Sequence, residues 1–377
     1  MTLHNARTVP VPVRVPHPEP ENGWSRSVLR LRDVVVDPEH GGVWTEDGLC
    51  PEAMLYRWSG TYRGWRGTRP ENPQRLAGRH LWGGTIFFHF GHFLSESLSR
   101  LWAAQSSGAA SILFTPKNMK GKRPEDLVGY QKQVLASLGI NLPVRICYEP
   151  LEIEELIIPG QGFGLGRMST GTPEFRDFAR QMDPGAGADA EQAARPARKI
   201  YISRSALPKK TGSILGEAAI EQALMQEGFE IYHPQQHSIE HQLRTFRDAT
   251  HLVGPDGSAF HLAGFIARPD QSFTIIKRRN AREYLTFYHQ IIAAGAQVHV
   301  VDAVIADWIR PGKHKADDMS WGEVDPGRLS DGFLALGLID NPLEIHADLA
   351  DELAQIGRIH KGEMTRLDVA EDGVPAS

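Results

Sequence analysis

Cysteine is scarce: Cys50 and Cys147 are the only two in 377 residues, and no C-x-x-C spacing occurs. That excludes a disulfide framework and a structural zinc site, and it is compatible with a reducing compartment. Long apolar runs are missing too. No stretch reaches the roughly 18 to 20 residues of a membrane span, and the Pro-rich start MTLHNARTVPVPVRVPHPEPENG lacks a signal-peptide core. An excess of basic charge is absent, since 41 Lys and Arg against 46 Asp and Glu leave a net charge of −5. A general nucleic-acid binder is thereby disfavoured. There is no D-x-D, and GQGFGLGR (160–167) fails as a G-x-G-x-x-G fingerprint because Leu165 and Arg167 stand where the third glycine would be needed. A nicotinamide-dependent oxidoreductase is therefore a weak reading, and that glycine-rich stretch reads instead as a mobile loop at a cleft edge. The expected location is cytoplasmic, at most peripheral at the inner membrane.

What is present suits a protein of two domains. A chain of 377 residues with 41% hydrophobic and 23% charged residues can bury two ordinary cores. Residues 1–24 read as an extended or disordered arm, 25–182 as an N-terminal α/β domain and 183–197, rich in Gly, Ala and Pro, as a linker. Residues 198–325 read as a Rossmann-like domain and 326–377 as a helical segment with a fraying tail. In the first domain Ser27–Val36 is an expected strand, Thr85–Phe88 a buried one, and Phe90–Gln105 a continuous amphipathic helix through Phe93, Leu94, Leu98, Leu101 and Trp102. Arg57, Arg63 and Arg66 near Trp58 and Trp65 suggest a sugar or phosphate surface, or simply Arg stems on exposed indoles. After the linker, strands and helices alternate with short connections from Lys199 to Asp302, which predicts a parallel sheet covered on both faces.

Two strand-turn-helix units in that second domain suit a phosphate. The first, KIYISRSALPKKTGSILGEAAIEQAL, places Arg204, Lys209 and Lys210 in the turn before a helix expected over 214–227, with Glu217 in its first turns. The second, THLVGPDGSAFHLAGF, turns through Gly254, Pro255, Asp256 and Gly257 into a helix from Ser258. Helix N-termini expose unpaired amides and a partial positive charge, so both turns are candidate anion sites. In the first domain His92 and Glu96 lie four apart on one helix face, spaced for an acid to orient an imidazole. His89 with His92 and Glu96 could hold a metal, but the spacing fits no metal motif.

These pieces resemble glycosyltransferase family 61. HFGHFLSESLSRLW, ISRS, Glu217, GFEIYHP, the His-Gln of SIEHQLRTF and GPDGSAFHLAGF are similar to the family's segments in order and spacing, from about Gly84 to about Phe265. The family usually carries His where Asp256 stands and Asn where Gly216 stands. The resemblance implies a GT-B-like architecture, two Rossmann-like α/β domains with parallel sheets facing a central cleft. It also implies inverting, nucleotide-sugar-dependent transfer of a hexosyl or pentosyl group to a glycan or lipid-linked acceptor, as in capsular or cell-surface polysaccharide assembly. The alternative is a non-catalytic nucleotide-sugar-binding or scaffold protein of the same fold. Such a reaction needs a base, for which His92 and Glu96 lead and Asp256 is the reserve. The departing diphosphate needs cationic and amide stabilisation, expected from Arg204, Lys209 or Lys210 and the Gly257–Ser258 helix start, with Gly254 in the same turn. Glu217 is the candidate acceptor for a ribose hydroxyl. No metal and no cofactor beyond the donor is expected; self-association is left open.

Overall fold

A computed structural model of the chain describes residues 27–39, 41–57, 60–61, 67–117, 123–185 and 197–369, and it divides into two units, Met1–Ala186 and Gly187–Ser377. The expected arm and most of the expected linker lie outside the described residues. In the first unit, β1 (Val28–Asp37), β2 (Gly42–Thr45) and β3 (Gly48–Leu49) form an antiparallel meander, and β4 (Tyr56–Arg57) pairs with β5 (Gly60–Thr61) in a separate ribbon. With β6 (Gln74–Ile86), β7 (Ser111–Pro116), β8 (Val144–Ile146) and β9 (Leu151–Pro159) the meander builds a seven-stranded sheet in the order β3-β2-β1-β9-β6-β7-β8. Only β9, β6, β7 and β8 run parallel; β1 is antiparallel to β9, so this sheet is mixed rather than parallel. The alternation of Leu29 and Leu31 with exposed Arg30 and Arg32 is the half-solvated pattern of an antiparallel strand.

The helix expected over Phe90–Gln105 is not continuous. It is one turn of α-helix, α1 (Phe90–His92), then a π-turn over Phe93–Ser97, and later a 3₁₀ turn over Leu101–Ala103. The cause is a run of buried polar side chains that compete for backbone groups. Ser95 Oγ donates to Gly91 O at 2.9 Å, Ser97 Oγ to Thr85 O at 3.0 Å, and Ser99 Oγ to Glu96 O at 2.7 Å. Arg100, wholly buried, donates to Pro159 O and to Met54 O, which ties the broken helix to β9 and to the loop before β4. The wider π-turn is what seats Glu96 in the interior.

Helix α2 (Gly129–Ser137) and helix α3 (Pro173–Ala179) complete this unit. The stretch 160–167 is a packed connector, which corrects the mobile-loop reading. Gln161 bonds both backbone groups of Tyr56, Gly162 N donates to Ser99 O, and Phe163 stacks on Phe175 with centroids 4.7 Å apart. A Cβ on Gly162 would come within 2.9 Å of Phe175 Cβ, so glycine serves close approach here.

The second unit holds β10 (Lys199–Ile202), α4 (Glu217–Gln226), β11 (Phe229–Tyr232), α5 (Ile239–Asp248), β12 (His251–Pro255), α6 (Ala259–Phe265), β13 (Ser272–Ile276), α7 (Tyr284–Ala293) and β14 (Gln297–Val301). All five strands are parallel, ordered β11-β10-β12-β13-β14. Strand alternation sorts the core: Tyr201, Val253 and Ile276 face the cluster with Ile220 and Leu224 of α4 and, further on, Leu329 and Phe333. Those last two belong to α8 (Pro326–Ala335), which follows β15 (Val304–Ile309) and β16 (Trp321–Val324). Helix α9 (Leu349–His360) and β17 (Thr365–Asp368) end the described chain, and β17 pairs with β15 in a small sheet ordered β16-β15-β17. The expected fraying tail is thus ordered as far as β17.

Strand β16 clamps the site described below. Ile214 bridges Gly322, Leu215 N donates to Gly322 O, and a Cβ on Gly322 would lie 2.0 Å from Arg278 O. Gly322→Ala is expected to lower stability by about 1 to 3 kcal/mol, because the clashing atom is backbone and cannot swing aside. Urea denaturation with an unchanged m-value checks this; a variant as stable as the parent would contradict it.

Candidate functional site

In the first unit the site is Arg57, His92 and Glu96. His92 ends α1 and Glu96 lies in the π-turn, yet the pair still meets: His92 Nδ1 and Glu96 Oε2 are 2.6 Å apart. Arg57, on the β4–β5 ribbon, grips the same carboxylate with two bonds, Nε to Oε1 at 2.6 Å and Nη2 to Oε2 at 2.8 Å. The Glu96 side chain is 1% exposed and that of His92 33%. Burial pushes the Glu96 carboxyl up, but the bonds from His92 and Arg57 outweigh it and hold it below the usual range. An ionised carboxylate only accepts, so His92 Nδ1 carries a proton toward it, and in the neutral ring Nε2 is the acceptor nitrogen. His92 stacks on Phe87 with centroids 5.2 Å apart, which fixes the ring. This is the arrangement of an oriented general base. Among the described residues no group of His, Cys, Asp and Glu is placed to hold a metal. Trp58, Arg63, Trp65 and Arg66 lie outside the described residues.

In the second unit the strand order reverses between β10 and β12, the point at which an open parallel sheet leaves a crevice at its carboxyl edge. Arg204, just after β10, and Gly257, just after β12, meet there, since a Cβ on Gly257 would lie 2.7 Å from Arg204 Nη1. Two residues that sequence reasoning did not single out join them: Arg278 and Arg279, directly after β13, only 6% and 4% exposed. Burial and the guanidinium of Arg278, with a smaller push from Arg279, bring Arg204 down to about 9. Backbone carbonyls aim all three. Arg204 Nη2 donates to Gly212 O at 2.7 Å, Arg278 Nη1 to Asp318 O at 3.3 Å and Arg279 Nη1 to Asp317 O at 3.0 Å. The Nε groups of Arg204 and Arg279 are shielded from solvent and have no hydrogen-bond partner among the described residues. Three guanidinium groups held this close favour an anion of more than one charge.

The remaining candidates take different places. Asp256 is buried and bound by Arg278 through both Nε to Oδ1 at 3.0 Å and the backbone N to Oδ2 at 3.1 Å, so it anchors that arginine instead of standing ready as a base. Glu217 accepts from Arg204 N at 2.8 Å and Ser213 Oγ at 2.6 Å; burial raises it to about 7, and both oxygens shape the Arg204 turn instead of facing a ribose. Lys209 pairs with Glu352 of α9, whose other oxygen takes Gly216 N at 2.7 Å. A protein carboxylate thus sits at the start of α4, where a phosphate was expected. Gly216 has φ 71°, a left-handed conformation open to Gly and Asn. Lys210 is exposed. Gly254 permits close strand approach, as its Cβ would lie 2.5 Å from Ile202 O. Ser258 is the N-cap of α6 without a side-chain cap bond, and α6 has only seven residues, so the arginines outweigh it as an anion seat.

Residues 90–274 match the family described as Glycosyltransferase 61, from α1 to β13. The match spans slightly less than half of the chain and supports that family, with glycosyl transfer between a sugar donor and an acceptor as its reaction. No curated protein matches the chain. Among the described residues no helix is long and apolar enough to cross a membrane.

Proposed function

We propose that the protein is an inverting, metal-independent glycosyltransferase that moves a hexosyl or pentosyl unit from a nucleotide sugar to a glycan or lipid-linked acceptor, in assembly of a cell-surface or capsular polysaccharide. The observation that carries this reading is the convergence of Arg204, Arg278 and Arg279 at the switch point of a parallel sheet. A nucleoside diphosphate is the ligand whose charge and bidentate oxygens suit such a seat. Under this reading the two units are the lobes of a GT-B enzyme, with donor on the second and acceptor on the first.

The chemistry then divides between the units. His92 Nε2 takes the proton of the acceptor hydroxyl as its oxygen bonds to the anomeric carbon. The bond from that carbon to the diphosphate oxygen breaks, and the electron pair leaves with the diphosphate, whose added charge the arginines stabilise. The oriented His92–Glu96 couple favours catalysis over the non-catalytic alternative, because a binding protein has no use for a partly exposed imidazole held by a buried carboxylate. Incubating the full chain with UDP-, GDP- and CDP-sugars should release free sugar slowly from at least one donor, and faster transfer should follow when an acceptor is supplied. A panel in which no donor is hydrolysed or protects the chain in a thermal melt would overturn the proposal.

A further inference from the structure

The reaction just described uses His92 and Glu96 but gives Arg57 no task, although among the described residues Arg57 contributes two of the three hydrogen bonds to the Glu96 carboxylate. A carboxylate 1% exposed needs a counter-charge. If His92 supplied it, the imidazole would hold a proton on both nitrogens and could not act as a base. Arginine is a permanent cation whose planar fork matches a carboxylate.

We infer that Arg57 is a positioning residue for the proposed reaction: by neutralising Glu96 it keeps His92 a neutral imidazole with Nε2 open to the acceptor hydroxyl. This rests on the functional reading above for its purpose, and on the geometry of the three side chains for its physics. The charged and titratable groups around His92 act on the same balance. Glu96 favours the imidazolium. Arg57 opposes it through the shared carboxylate, and its guanidinium carbon also lies 5.9 Å from the centroid of the Phe87 ring on which His92 stacks. Lys117 borders that ring as well, its Nζ 5.5 Å from the centroid. The His89 ring lies 5.3 Å from that of His92 and opposes a second positive charge when it is itself protonated. Arg57 alone among these touches the carboxylate directly. Its position on a two-residue strand explains why spacing did not connect it to Glu96, 39 residues away.

The test needs no substrate. In the full chain labelled with ¹³Cε1-histidine, the His92 resonance is assigned by its loss in His92→Ala and followed against pH. Arg57→Met should raise its midpoint by roughly one pH unit, since a neighbouring cation is removed and Glu96 is left with His92 as its sole counter-ion. Arg57→Lys should restore the midpoint to within about 0.3 unit of the parent, which a merely structural contact would not do. Should Arg57→Met lack the parent's circular dichroism, Arg57→Gln takes its place. An unmoved midpoint in the neutral variant, or a Lys variant that titrates like it, would overturn the inference. Absence of sugar transfer with every donor would count against the function instead, because the titration does not depend on it.

Discussion

His92→Ala lowers kcat for sugar transfer about a thousandfold and leaves donor affinity within about twofold of the parent. The first part follows from the proposed role of the dyad: with Nδ1 bound to a buried Glu96, Nε2 is the nitrogen left to take the acceptor's proton. The second part follows because the proposed diphosphate ligands, Arg204, Arg278 and Arg279, belong to the other unit. Glu96→Gln should cost less than His92→Ala, since the imidazole remains but loses its orientation and its ionic partner, and its pH profile should move to lower pH as the imidazolium loses a neighbouring anion. Steady-state kinetics on both variants, with nucleotide binding measured in parallel, checks the pair. Equal loss of donor binding in His92→Ala would show that the imidazole belongs to the donor seat instead.

Arg279→Met weakens binding of a nucleoside diphosphate by about ten- to a hundredfold, whereas Lys209→Ala and Lys210→Ala leave it nearly unchanged. Arg279 is buried, aimed by Asp317 O and paired with Glu283 at 3.6 Å, so its loss removes a cation already held in place. Lys209 is committed to Glu352 and Lys210 is a solvated charge, so neither holds a donor in reserve. Isothermal titration of the four proteins separates the outcomes. A Lys variant that loses affinity while Arg279→Met keeps it would return the phosphate to the first turn and overturn the arginine seat.

Much of the second unit was legible because parallel strands buried on both faces are continuous apolar runs bounded by turns. FEIY, SFTII and QVHVV each became a strand within one residue of the expected limits. The pairing order that puts Arg204 beside Gly257 is a property of the sheet, and only the strands' location, not their order, is visible in the chain. Arg278 and Arg279 did leave a signal, KRR immediately after a buried strand, at the edge where an α/β sheet binds its ligands. Lys209 and Lys210 drew attention by standing before a helix, but their fate was set by Glu352, more than a hundred residues on, which no local pattern announces. In the first unit the apolar period of Phe90–Gln105 was real, yet five buried polar residues, Ser95, Glu96, Ser97, Ser99 and Arg100, break the helix by bonding elsewhere. The His92–Glu96 contact survived that break, with the two side chains still 2.6 Å apart.

The most direct measurement is calorimetric titration of the parent chain with UDP, GDP and CDP, repeated with the Arg204→Met, Arg278→Met and Arg279→Met variants. One of the three nucleotides should bind at a single site and be weakened in each variant, with affinity falling as salt is raised. Absence of binding by any of them, or binding that all three arginine variants retain, would contradict a diphosphate seat at the β10–β12 switch point.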